Sequence, residues 1–198
     1  TRALDFIKVN RGYMGLPVKL VGLSAGLELG EYGATHVSES DIAQMRGIAG
    51  MTVIAPADAL ETVKAVQAAS LMRSPVYIRL SGGSGIVYKE DYDFRIGKAV
   101  TLREGGDVVI FSTGSQAISA IEAAAMLERE GYSVKVADMH TVKPLDTNFI
   151  DGCLSARLIV TIEEHSIIGG LGSAVAEYLA AFEKKQPLLS IGLPDAYL

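Results

Sequence analysis

The stretch from Val18 to Ile42, VKLVGLSAGLELGEYGATHVSESDI, decides how the chain is read. Its first four residues, Val18-Lys19-Leu20-Val21, read as a buried strand. Gly26, Gly30 and Gly33 then interrupt any strand or helix period, and Ser38 with Asp41 three residues later resembles a capping box. That places a short helix over Glu39 to Arg46 with Ile42 and Met45 inward. Strand, glycine loop and helix in this order are the repeating unit of open α/β sheets, whose ligands sit at the carboxyl ends of the strands. Glycine lets backbone approach a ligand closely, and His36 ends the loop. A histidine there suits proton transfer near neutral pH or a hydrogen bond to a developing oxyanion, with a purely structural histidine as the alternative.

Working outward, the same alternation continues. Upstream, Leu4 and Ile7 stand at helical spacing within Arg2 to Val9, and Gly12 to Pro17 break that pattern. Downstream, Met51 to Ala55 is a strand, Asp58 and Glu61 cap a helix whose apolar stripe is Val63, Val66 and Ala69 or Ser70, and Val76 to Leu80 is a strand. Ser81-Gly82-Gly83-Ser84-Gly85 is a flexible turn-forming run, and the irregular, charged pattern after it marks a connection between domains. Strands then follow at Val108 to Ser112, Val134 to Asp138, Leu158 to Ile162 and Leu188 to Ile191, with helices at Ser115 to Glu130, Asp146 to Leu154 and Ser173 to Lys184. Strands alternating with helices imply parallel βαβ units, hence two parallel-sheet α/β domains: 1–81, a linker 82–96, and 97–198. The first looks cut short. The chain opens without methionine on a helical pattern, which leads to the expectation of further sequence upstream.

Composition excludes several classes. With 49% apolar residues among 198 the chain can bury a substantial core. A net charge of -5 without a basic cluster argues against a nucleic-acid surface. The single cysteine, Cys153, precludes an internal disulfide framework and fits a reducing compartment. No apolar run is long enough to span a membrane and no signal peptide opens the chain, so a cytoplasmic location is expected.

Other candidate motifs are weaker. Glu163-Glu164-His165 precedes Gly169-Gly170-Leu171-Gly172, which reads either as a ligand-edge loop of the second sheet or as a satisfied structural histidine. No second histidine stands at metal-ligand spacing, so the acids read as a solvated loop. Gly170-Leu171-Gly172 lacks the third glycine of a dinucleotide loop, since Val175 stands there. His140, after Asp138, reads as structural.

Several of these segments together resemble one family. Gly30-Glu31-Tyr32-Gly33-Ala34-Thr35-His36 is similar to the GEDGPTH-type motif of transketolases, and Thr52-Val53-Ile54-Ala55-Pro56-Ala57-Asp58 with Pro75-Val76-Tyr77-Ile78-Arg79 resembles their pyrimidine-binding domain. Gly114-Ser115, Asp138-Met139, Lys143-Pro144-Leu145-Asp146 and Glu163 through Gly172 resemble the transketolase C-terminal domain, a Rossmann-like three-layer unit. The resemblance implies the C-terminal part of a thiamin-diphosphate enzyme, as in split bacterial transketolases, that moves a two-carbon ketol unit between sugar phosphates. It implies a homodimer working with an N-terminal, diphosphate-binding partner that holds thiamin diphosphate and Mg2+. It also implies His36 as a catalytic or substrate-binding residue and Arg79 as a ligand of the sugar phosphate. Two positions depart from the family: Tyr32 replaces an aspartate and Ser24 a frequent histidine, so both are candidate substrate contacts with altered chemistry. A non-catalytic association module, or a divergent paralogue akin to deoxyxylulose-phosphate synthases or 2-oxoacid dehydrogenase E1 β-subunits, is the alternative.

Overall fold

The computed structural model describes residues 3–82, 85–183 and 186–197. Arg2, Gly83, Ser84 and Lys184, on which parts of the expected first helix, linker and last helix fall, lie outside them. The chain begins with α1 (Leu4–Phe6), which runs on as a π-helix over Ile7–Tyr13 and so passes the glycine expected to stop it. The first half then contributes β1 (Lys19–Gly22), α2 (Asp41–Arg46), β2 (Thr52–Ile54), α3 (Ala59–Ser70) and β3 (Val76–Arg79). The second half contributes β4 (Val100–Arg103), β5 (Val108–Ser112), α4 (Gln116–Arg129), β6 (Val134–Asp138), β7 (Thr141–Lys143), α5 (Thr147–Asp151), β8 (Leu158–Ser166), α6 (Leu171–Leu179) and β9 (Leu188–Leu193).

Two sheets result, ordered β1-β3-β2-β7 and β4-β6-β5-β8-β9. The α/β class and the two-sheet organisation match the sequence reading, with one difference: each sheet is mixed rather than wholly parallel. β4 pairs antiparallel with β6, and β7 pairs antiparallel with β2. Both strands are short and lie at sheet edges, where a crossover helix is not required. β7 also ties the halves together, because it leaves the second sheet after β6 and completes the first. The main core follows suit. Ile42, Met45, Val53 and Tyr77 of the first half pack in one cluster with Phe111, Met139, Val142 and Leu171 of the second.

The central strands are apolar throughout and buried on both faces, as a parallel sheet between helix layers demands. β5, with sequence VVIFS, is buried at every position. α4 presents Ala117, Ala120 and Ala124, all buried, to that sheet, and Gly131 ends the helix at φ 91°, a conformation glycine adopts without penalty. Two expectations fail locally. β1 is an edge strand with Val21 49% exposed, so it is not buried. In α3 the inward face is Glu61, Ala65 and Ala69, while Val63 and Val66 are about half exposed. Glu61 turns inward because Oε2 accepts the Ala57 N–H, while Asp58 Oδ1 accepts the Glu61 N–H in return.

The connection between the halves is strapped down rather than free. Asp58 Oδ2 accepts the N–H groups of Val87 and Tyr88, the Tyr92 hydroxyl donates to Glu61 Oε1, and the Tyr88 hydroxyl donates to Asp138 Oδ2. The rings of Tyr88 and Tyr92 stack at 4.2 Å between centroids. Burial holds the Glu61 and Asp138 carboxyls above their usual range, and in Asp138 the charge of Glu61 adds to it.

Candidate functional site

The glycine loop closes on itself through a reciprocal pair, Gly26 N–H to Ser38 O at 2.9 Å and Ser38 N–H to Gly26 O at 3.2 Å. Between these ends the chain makes two 3-10 turns, Gly30–Tyr32 and Ala34–His36, joined at Gly33 with φ 83°. Ser24, where the loop leaves β1, holds φ 55°, which is unusual for a residue with a side chain and costs local strain. A cavity of about 430 Å3 opens between this loop and the start of α2. Ser24, Thr35, His36, Ser38, Asp41 and Gln44 are among its walls. Ser24 and His36 are thus brought together, as read from the sequence. Tyr32, 62% exposed, flanks His36 with the rings 5.6 Å apart and tilted by 48°. His36 is solvent-exposed, and its Nδ1 lies 3.1 Å from Thr35 Oγ1. That contact orients the ring.

Arg79 occupies a different position from the one the family resemblance implies. It is 3% exposed, with Nε donating to Asp41 Oδ2 at 3.0 Å and Nη2 to Glu164 O at 2.7 Å. Asp41, 5% exposed, also accepts the Tyr77 hydroxyl at 2.8 Å. Burial, with the charge of Asp41 beside it, pushes the Tyr77 phenol upward. The guanidinium therefore braces the cavity wall from behind through Asp41 rather than opening onto it. Asp41 is the site residue that sequence reasoning missed. At a helix start it read as a cap partner, yet the N-cap is Ser40 and makes no side-chain capping bond.

The remaining histidines resolve as structural. His165 is fully buried with both ring nitrogens engaged: Nε2 accepts the Ala43 N–H at 3.3 Å, and Nδ1 donates to Ser166 O at 2.7 Å. This fixes a neutral ring, and burial lowers its pKa. Glu163 is not solvated either, because its carboxylate accepts the Leu171 and Gly172 N–H groups that start α6. Burial raises its pKa against those bonds.

His140 stacks on Phe94 at 4.3 Å, and burial lowers its pKa from 6.5 to about 4. In the unfolded chain it protonates first as pH falls. Its contribution is therefore intact above about 6.5 and is lost down to about 4, on the order of 3 kcal/mol at about 1.4 kcal/mol per pH unit. Glu61 and Asp138, raised in the folded state, act in the opposite sense, so the test is a comparison. His140→Gln should flatten the acid limb of the urea-derived stability profile between those two pH values; identical slopes in both proteins would contradict it.

The fit of a metal-bound diphosphate can be judged from these walls. Among the described residues no group of three or more His, Cys, Asp or Glu side chains could hold a metal ion. The cavity carries the carboxylates of Glu39 and Asp41, and the nearby Arg79 is already committed to Asp41. A diphosphate with its magnesium does not fit these residues alone. No helix of the described residues is long and apolar enough to cross a membrane.

Residues 1–84 match the family model described as transketolase, pyrimidine binding domain, and residues 97–198 match that of transketolase, C-terminal domain. One of the two polypeptides of the apulose-4-phosphate transketolase of Phocaeicola vulgatus is 38% identical over 197 residues, 98% of this chain and 62% of that protein. A 1-deoxy-D-xylulose-5-phosphate synthase of Chlorobium luteolum is 43% identical over 202 residues, 100% of this chain and 32% of the synthase. A solved split gene transketolase, described as an inactive beta4 tetramer, superposes with a TM-score of 0.91 at 40% identity over 98% of this chain and 63% of that one. The chain thus spans less than two thirds of each of these relatives.

Proposed function

The chain belongs to the transketolase family, and from that premise we propose that it supplies the substrate-facing half of a thiamin-diphosphate site that transfers a two-carbon ketol unit between sugar phosphates. The observation that carries this reading is the polar cavity shared by Ser24 and His36, placed at the carboxyl end of β1 and lacking any cation or metal cluster of its own among the described residues. His36 and Ser24 would hydrogen-bond substrate oxygens, Tyr32 would set which ketose enters, and Arg79 would keep Asp41 in place behind them. Thiamin diphosphate and Mg2+ would be held by a diphosphate-binding N-terminal partner, subunit or domain, and would supply the carbanion chemistry. The domain division 1–81, 82–96 and 97–198 is part of the same proposal, as are a cytoplasmic setting and a two-fold homodimer. Exposed Phe6, Val9, Met14 and Leu23 supply apolar surface for the dimer contact.

Tyr32 and Ser24, where relatives carry acid and histidine, favour a second reading: an association module or divergent paralogue, synthase-like or E1 β-like, that no longer transfers ketol units. Reconstitution decides between them. Mixed with a diphosphate-binding subunit, thiamin diphosphate and Mg2+, the chain should transfer ketol units from ketose to aldose phosphates, and without the subunit it should not. A complex that forms by light scattering yet turns over neither ketose phosphates nor pyruvate would leave the association module standing.

A further inference from the structure

The segment Glu164-His165-Ser166 lies in the second half of the chain, yet each of its residues bonds to the candidate site in the first. The Ser166 N–H donates to Glu39 O at 2.8 Å, His165 Nε2 accepts from Ala43, and Glu164 O accepts from Arg79. The Glu164 side chain reaches furthest. Its Oε1 accepts the Leu27 N–H at 2.8 Å, and its Oε2 accepts the Ser115 hydroxyl at 2.5 Å, so one carboxylate joins β8, the turn before α4 and the start of the glycine loop. Gly26 makes room for it. At φ 73° a Cβ there would stand 2.6 Å from Glu164 Cδ, which no side chain could accept without displacing the carboxylate.

We propose that Glu164 is a positioning residue that fixes the glycine loop, and through it His36 and Tyr32, in the geometry the substrate meets. The loop's own closure is the single Gly26–Ser38 pair at the ends of a segment that is largely exposed, whereas the carboxylate anchors it to the rigid edge of the second sheet. Charge-assisted bonds of this kind are the stronger class of hydrogen bond. The C-terminal half thereby has a role in the site although none of its side chains is among the cavity walls. This inference rests on the proposed function for its activity arm only.

Hydrogen exchange on the purified chain tests it directly. In Glu164→Ala, amides from Leu27 to His36 should exchange about tenfold faster or more, as loss of a hydrogen bond to a charged group predicts, while β5 and β8 stay protected. Glu164→Gln should restore protection, because its amide oxygen can accept from Leu27 and its NH2 can donate to Ser115 Oγ. Ser115→Ala, which removes one anchor and leaves the carboxylate, should give an intermediate increase if Glu164→Ala does not fold. In the reconstituted assembly Glu164→Ala should lower kcat/KM by a similar factor at unchanged melting temperature, with rescue by glutamine. Loop exchange in Glu164→Ala equal to wild type, or glutamine as damaging as alanine, would overturn the proposal. A loosened loop in an assembly whose wild type transfers nothing would instead remove the functional reading and leave the positioning role intact.

Discussion

Replacing Arg79 by leucine should lower the unfolding free energy by about 3–5 kcal/mol, the cost of leaving one partner of a buried ion pair unpaired. The side chains of Arg79 and Asp41 are 3% and 6% exposed, so water cannot take over when the guanidinium goes. Asp41 would keep one donor, the Tyr77 hydroxyl, and the Glu164 carbonyl would lose the Arg79 Nη2 donor. Urea titration reads this as a lower midpoint at unchanged slope. The double variant Asp41→Leu with Arg79→Leu should recover part of the loss, since two apolar groups in place of a buried pair restore neutrality. An Arg79→Leu protein within about 1 kcal/mol of wild type would mean that the pair is solvated after all and that the cavity wall does not depend on it.

His36→Ala should have the converse profile. In the reconstituted assembly, transfer should fall on the order of 10²-fold, as when one preorganised donor to a developing charge is removed. The melting temperature should barely move, because the ring is exposed and exposed side chains away from caps and networks contribute within about 0.5 kcal/mol. If KM alone rises, the ring binds ground state and transition state equally; if kcat falls with kcat/KM, its bond forms in the transition state. Full activity in His36→Ala would make the loop a relic of the family's site.

These two residues also mark what could be read from the sequence and what could not. His36 was legible because local chemistry betrays it: glycines without periodicity, a polar end and a helix start within ten residues. Ser24 was legible only beside the family pattern, and its positive φ is invisible in composition. The engagement of Arg79 by Asp41 was not legible, since 38 residues separate them and the pairing exists only once β3 is set beside the start of α2. The same holds for Glu164 and Leu27, which are 137 residues apart. In the fold, β5 and β6 were found at their observed bounds because wholly buried strands are apolar at every position. β7 is three residues long and stops before Pro144, too short to show a period, and β4 lay hidden in a charged stretch read as linker. α3 misled for a different reason. Its valines look like a core stripe, and only the capping geometry of Glu61 reveals that the helix is turned the other way.

The central claim is that this chain carries half of a cofactor site and that the other half, with the diphosphate and metal ligands, belongs to a partner. Isothermal titration of thiamin diphosphate with Mg2+ tests it most directly, run on the purified chain and again on the chain mixed with a diphosphate-binding subunit. The chain alone should give no binding heat beyond dilution, and the mixture should give a saturable isotherm with one cofactor per site. A tight, stoichiometric isotherm from the chain alone would contradict the account.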